Sequence, residues 1–178
     1  MSEAPPADGG RRRFLKVATC ALGGGIAGTV LVPATRYLLY PVDTTTVTTG
    51  DEPIDVMPEA RIKKGAPPLR VGLVAPSERD AWGSVQNVPL GAAWVLRDDG
   101  GLKAWSAVCP HLGCSIGYDA GDKKFRCPCH DSSFSLAGER LGGPTERGMD
   151  PLPWDVKDGR LRITWVRYKV GGSTRETT

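Results

Sequence analysis

Histidine is scarce in this chain: His111 and His130 are the only two among 178 residues. Histidines scattered for packing would not be expected to fall within two short cysteine-bearing loops, as these do. Their placement argues for a joint role as ligands. Net charge is also small. Of a formal +3, Arg11, Arg12, Arg13 and Lys16 against Glu3 and Asp8 supply +2 before residue 17. The rest is near neutral, which gives no electrostatic case for nucleic acid as a partner. Internal repeats and low-complexity segments are absent.

The two loops have matching composition. CPHLGC runs from Cys109 to Cys114 and RCPCHDSSFS from Arg126 to Ser135, with fifteen residues between His111 and Cys127. A disulfide between Cys127 and Cys129, one residue apart, would be badly strained. Two cysteines and two histidines suit a structural zinc site. The same set suits a 2Fe-2S cluster held by two cysteines on one iron and two histidines on the other. Zinc needs only two of the four loop cysteines. In an exported protein the surplus thiols, one on each loop, invite a disulfide from loop to loop.

Residues 51–170 are dense in glycine and proline and poor in helical periodicity. AAWVLRDDGGLKAWSAV places two apolar runs around Asp99-Gly100, and PWDVKDGRLRITWV does the same around Asp158-Gly159. Both patterns predict hairpins. IGYDAGDKKFRC joins the cysteine loops through Gly121-Asp122, LRVGLV reads as a further strand, and SERDAWGSVQ is expected to hold a helical turn. The body is therefore all-β, built from short antiparallel strands.

Residues 1–10 are small, polar and proline-containing, the composition of a disordered segment. RRRFLK then resembles the twin-arginine export motif, with Arg11 and Arg12 as the pair, although Gly10 stands where serine or threonine is common. That pathway carries proteins already folded around a cofactor. Val17 to Ala34 is an uncharged run of 18 residues, roughly 27 Å as a helix against a bilayer core of about 30 Å. Tyr37 and Tyr40 suit the far interface, and Gly23, Gly24, Gly25 and Gly28 offer a smooth face for another membrane helix. The alternative is a cleaved signal peptide, but with no clean A-x-A site after the run, 11–40 reads as a twin-arginine signal retained as a single-pass anchor. Its basic flank stays in the cytoplasm, so the body lies outside. Cys20 reads as a small lipid- or helix-facing residue. The threonine-rich segment 41–50 suits an extended tether, and 171–178 reads as a C-terminal tail.

C-P-H-L-G-C at 109–114 with C-P-C-H at 127–130 resembles the two cluster-binding loops of Rieske proteins. The second cysteine pair narrows the likeness to the high-potential Rieske subunits of cytochrome bc complexes, since dioxygenase-type ferredoxins generally lack it. The resemblance implies an antiparallel β-sandwich head with a cluster-binding subdomain, preceded by one transmembrane helix. It implies one 2Fe-2S cluster per chain, with Cys109 and Cys127 on the inner iron and His111 and His130 on the outer. Cys114 and Cys129 would form the disulfide, and Ser132 would donate to a bridging sulfide. Leu112 would sit at the loop tip and pack on cytochrome b, and Gly142-Gly143-Pro144 would cover the cluster as the family's proline loop. His130 would take the catalytic part by hydrogen-bonding quinol.

One departure is informative. Respiratory members commonly follow the second histidine with glycine, serine, any residue, then tyrosine; here the order is Asp131, Ser132, Ser133, Phe134. Phe134 cannot donate the hydrogen bond that tyrosine gives a ligand sulfur, and Asp131 adds negative charge. Both lower the expected potential, which suits menaquinol. The implied function is electron transfer from quinol (menaquinol or ubiquinol) to a cytochrome c-type heme protein, alongside cytochrome b. The setting is a dimeric complex of the bacterial cytoplasmic membrane, with the head on the periplasmic side. Two alternatives stand beside it: the small Rieske subunit of a molybdenum oxidase such as arsenite oxidase, and a structural zinc domain. GGPTERGMDPLPW and the tether favour the bc-type reading.

Overall fold

A computed structural model describes residues 9–43, 47–48, 52–80 and 82–178. It divides into two units. In the first, a single helix, α1 (Gly9–Leu39), runs into a 3₁₀ turn at Tyr40–Asp43. No residue of α1 is buried. At about 1.5 Å per residue it exceeds the roughly 30 Å apolar core of a bilayer. It is long and apolar enough to cross a membrane. Of the segment expected to be disordered, residues 1–8 lie outside the described residues, while Gly9 and Gly10 open α1. Of the expected tether, 44–46 and 49–50 also lie outside them.

The second unit comprises Val47–Arg79 and Gly83–Thr178. Its strands are β1 (Val47–Thr48), β2 (Ile54–Pro58), β3 (Leu69–Arg79), β4 (Ser84–Asp98), β5 (Gly101–Ser106), β6 (Gly117–Asp119), β7 (Lys124–Arg126), β8 (Ser133–Phe134), β9 (Arg140–Gly142), β10 (Trp154–Lys157) and β11 (Arg160–Ile163). They form three sheets, ordered β1-β3-β4-β5, β10-β11-β2 and β6-β7-β8-β9. Every strand pair in the three sheets is antiparallel.

The apolar patterns explain the layering. In β3, Val71, Leu73 and Ala75 are buried and alternate with exposed Arg70, Gly72 and Val74, the period of a strand with one wet face. In β4 the run Ala93 to Leu96 is buried throughout. Ala93 and Val95 join a core with Leu73, Leu161 and Ile163. Trp94 and Leu96 join a second core with Ile116, Phe125, Phe134 and Met149. One strand thus separates a base from a cluster-loop subdomain. The Trp94 indole N–H donates to the Ile116 carbonyl at 2.9 Å, fixing the second core to the end of the first cysteine loop.

The expected hairpins form around Asp99-Gly100, Gly121-Asp122 and Asp158-Gly159. At the last, φ is +52° for Asp158 and +71° for Gly159, the double left-handed turn that suits strand twist. The SERDAWGSVQ segment corrects the expected helical turn. Ser77, Glu78 and Arg79 pair with Gln86, Val85 and Ser84, extending the β3–β4 ladder. The Asp80 carboxylate accepts the Trp82 N–H at 2.8 Å, a local side-chain turn that competes with helix.

Candidate metal centre

Three loops meet at one end of the β6-β7-β8-β9 sheet. The first lies between β5 and β6, the second between β7 and β8, and the third follows β9. In the first, the Gly113 N–H donates to the Cys109 carbonyl at 2.9 Å and the Cys109 N–H to the Cys114 carbonyl at 2.7 Å. That tight closure uses Gly113 at φ +81°. In the second, the Cys127 N–H donates to the Ser132 carbonyl at 2.8 Å. Cys114 and Cys129 form a disulfide that joins the two loops, with Cα atoms 6.6 Å apart.

The loops carry the four expected ligands as two pairs, Cys109 beside Cys127 and His111 beside His130. Cys109 and Cys127 are free thiols and buried, at 1% and 2% exposure. Of the two histidines, His111 is half-buried and His130 exposed. The two imidazoles meet edge to face with centroids 5.0 Å apart. The Cys127 sulfur lies within 4.8 Å of the disulfide sulfurs. Those two are already bonded to each other and offer no thiolate.

The chemistry of these groups fits a 2Fe-2S cluster. Burial pushes the Cys109 thiol up; the His111 backbone N–H opposes this, and the adjoining Cys127 adds to it. Such a thiol ionises when a metal cation takes the place of its proton. The Ser132 hydroxyl is fully buried with no satisfying hydrogen-bond partner. It lies close enough to Cys109 to favour its thiolate. A buried, unsatisfied donor beside Cys109 is one that a cluster sulfur would satisfy.

Phe134 is wholly buried in the core that also contains Cys109 and Cys127. Leu112 stands at the loop tip, 60% exposed. Asp131 adopts φ +55°, a left-handed conformation that glycine takes freely and aspartate tolerates. This explains how aspartate can replace the family's common glycine. The Arg126 guanidinium lies 3.2 Å from the Asp131 carboxylate. The negative charge that sequence alone assigned to this position thus stands beside a positive one, with both groups exposed to solvent.

Gly142 ends β9, and Gly143 and Pro144 follow it. A Cβ on Gly143, which has φ +91°, would come within 2.4 Å of the Ser132 Cα. Arg140 holds this loop, donating to the carbonyls of Gly143 at 2.7 Å and Thr145 at 2.5 Å. Sequence reasoning passed over Arg126, Arg140 and Arg147. Arg147 and Asp150 form a buried pair, at 2.9 Å on both prongs. The R-x-x-D spacing was visible, but nothing in it distinguishes a buried pair from surface charge.

Residues 72–153 match the family model described as the Rieske [2Fe-2S] domain. The menaquinol:cytochrome c reductase iron-sulfur subunit of Bacillus subtilis (strain 168) is 30% identical over 167 residues, covering 91% of this chain and 95% of the relative. A cytochrome b6-f complex iron-sulfur subunit 2 of Trichormus variabilis is 28% identical, covering 86% of this chain and 84% of the relative. Among solved structures, a cyanobacterial plasma membrane Rieske protein from Synechocystis PCC 6803 aligns with TM-score 0.41 and 22% identity, covering 63% of this chain and 97% of that one.

The chain belongs to the Rieske iron–sulfur proteins, and its head carries a 2Fe-2S cluster. Within that family it is an iron–sulfur subunit of the cytochrome bc type, an electron-transfer component of a quinol–cytochrome c reductase. The zinc alternative falls with the family match.

Proposed function

We propose that Cys109 and Cys127 bind one iron and His111 and His130 the other. The chain would take an electron from quinol, menaquinol first, and pass it to a cytochrome c-type heme. The observation that carries this reading is a pair of buried free thiols, Cys109 and Cys127, on the same two loops as a pair of imidazoles in contact, 5.0 Å between centroids. Bound there, the cluster supplies a one-electron carrier. His130, the more exposed imidazole, accepts a hydrogen bond from a quinol hydroxyl at the ring nitrogen left free of iron, and holds the proton there. Exposed Leu112 packs against cytochrome b and excludes water from that contact. Phe134, lacking a hydroxyl, leaves the potential low enough for menaquinol.

In the same reading α1 anchors the chain in the bacterial cytoplasmic membrane with Arg11–Arg13 inside, after export by the twin-arginine route. The head works on the periplasmic side in a dimeric complex. Affinity purification from native membranes in mild detergent tests this. Co-purifying b-type heme, menaquinol-driven reduction and reoxidation by cytochrome c support it. Recovery with a molybdenum cofactor subunit instead contradicts it.

A further inference from the structure

The C-terminal residues form a strap over the first cysteine loop. The Gly171 N–H donates to the Pro110 carbonyl at 2.8 Å, between Cys109 and His111. Gly171 has φ +80°, and a Cβ there would stand 3.8 Å from the His111 carbonyl oxygen. The strap doubles back on itself: the Lys169 N–H donates to Glu176 O at 2.8 Å, and Tyr168 bridges to Thr177. Its hydroxyl end is held too, Tyr168 donating to Pro151 O at 2.8 Å.

Arg147 joins this strap to the base of the third loop. Its side chain is 4% exposed and that of Asp150 5%. Beyond its two-pronged pair with Asp150, the guanidinium donates to Gly172 O at 2.5 Å and Lys169 O at 2.6 Å. Asp150 also receives Arg175 at 3.4 Å, and its backbone carbonyl accepts the Ser106 N–H at 2.8 Å, where β5 enters the first loop. A buried charge pair is a costly way to gain stability alone. A planar fork with fixed donors is suited to holding several backbone segments in register.

We propose that Arg147 is a positioning residue for the cluster: through Gly172 and Lys169 it fixes the C-terminal strap, whose Gly171 N–H sets the backbone between Cys109 and His111. The claim rests on those two residues being ligands, but its loop-ordering half can be read without the cluster.

The test uses the full-length protein in detergent. Wild type is compared with Arg147→Lys, with Arg147→Met/Asp150→Leu, which leaves no lone buried charge, and with Gly171→Ala at the exposed end of the strap. Hydrogen–deuterium exchange reports on 105–116; EPR and redox titration report on the cluster. The double variant is expected to exchange at least tenfold faster across 109–114, with a broadened EPR signal and a shifted midpoint potential. Arg147→Lys and Gly171→Ala are expected to move the same readouts in the same direction, by less. Wild-type exchange and midpoint potential in folded variants overturn the proposal, even if thermal stability falls. If the double variant does not fold, the two single variants decide by the same criterion. Faster exchange in a protein whose wild type gives no two-histidine EPR signal supports the strap and sinks the ligand assignment separately.

Discussion

Gly143 and Ser132 meet backbone to backbone: a Cβ on Gly143 would lie 2.4 Å from the Ser132 Cα and 2.7 Å from its nitrogen. The third loop therefore closes on the second at the residue carrying the orphaned hydroxyl. Side-chain adjustment cannot relieve this contact, because both partners are main chain.

Gly143→Ala is accordingly expected to be severe. It adds the clash to an unfavourable φ of +91°, together costing about 2–4 kcal/mol. Gly142→Ala, whose Cβ would meet only the Ser133 hydroxyl at 3.6 Å, is the control and is expected to be milder. Thermal unfolding with visible absorbance at the cluster bands measures both.

The disulfide closes a span of 15 residues, a loop for which chain entropy alone gives about 3 kcal/mol. Cys129→Ser is expected to lose stabilisation of that order and to release cluster faster on warming. Iron release followed with a chelator, with and without reductant on the wild type, checks it. Equal release rates would mean that the loops hold without the bridge.

Phe134→Tyr is expected to raise the midpoint potential by about 60 mV, equivalent to about 1.4 kcal/mol favouring the reduced state. The reason is that it supplies a donor within the core shared with Cys109 and Cys127. Ser132→Ala is expected to lower it by a similar amount, because the buried hydroxyl is lost. Redox titration by circular dichroism reads both. An unchanged potential in Phe134→Tyr would remove the basis for menaquinol preference.

Arg126→Ala leaves the Asp131 carboxylate without its partner. The potential is expected to fall, by less than in Ser132→Ala, with a shift that shrinks as salt rises because both groups are exposed. Asp131→Gly, at φ +55°, should be tolerated structurally and should raise the potential. A salt-independent shift would point to loop rearrangement instead of charge.

Much of this arrangement was legible in the residues. Asp99-Gly100 and Asp158-Gly159 between apolar runs, and Gly121-Asp122 between the cysteine loops, marked the hairpins. The pairing of the only two histidines with four cysteines marked the centre. Other features depended on three-dimensional context. Ser77–Gln86 reads polar and turn-like, yet the β3–β4 ladder recruits it because its neighbours already pair. Arg147 and Asp150 look like ordinary surface charges, and only the strap and β5 together bury them. Asp131 reads as an added negative charge until the hairpin of β7 and β8 brings Arg126 beside it.

The ligand set is the centre of the account. Its most direct test is low-temperature EPR of the reduced full-length protein, with pulsed measurement of nitrogen couplings. Two inequivalent histidine nitrogens on a rhombic spectrum are predicted, one lost in His130→Cys. A spectrum without nitrogen couplings, or a silent protein containing zinc, would contradict it.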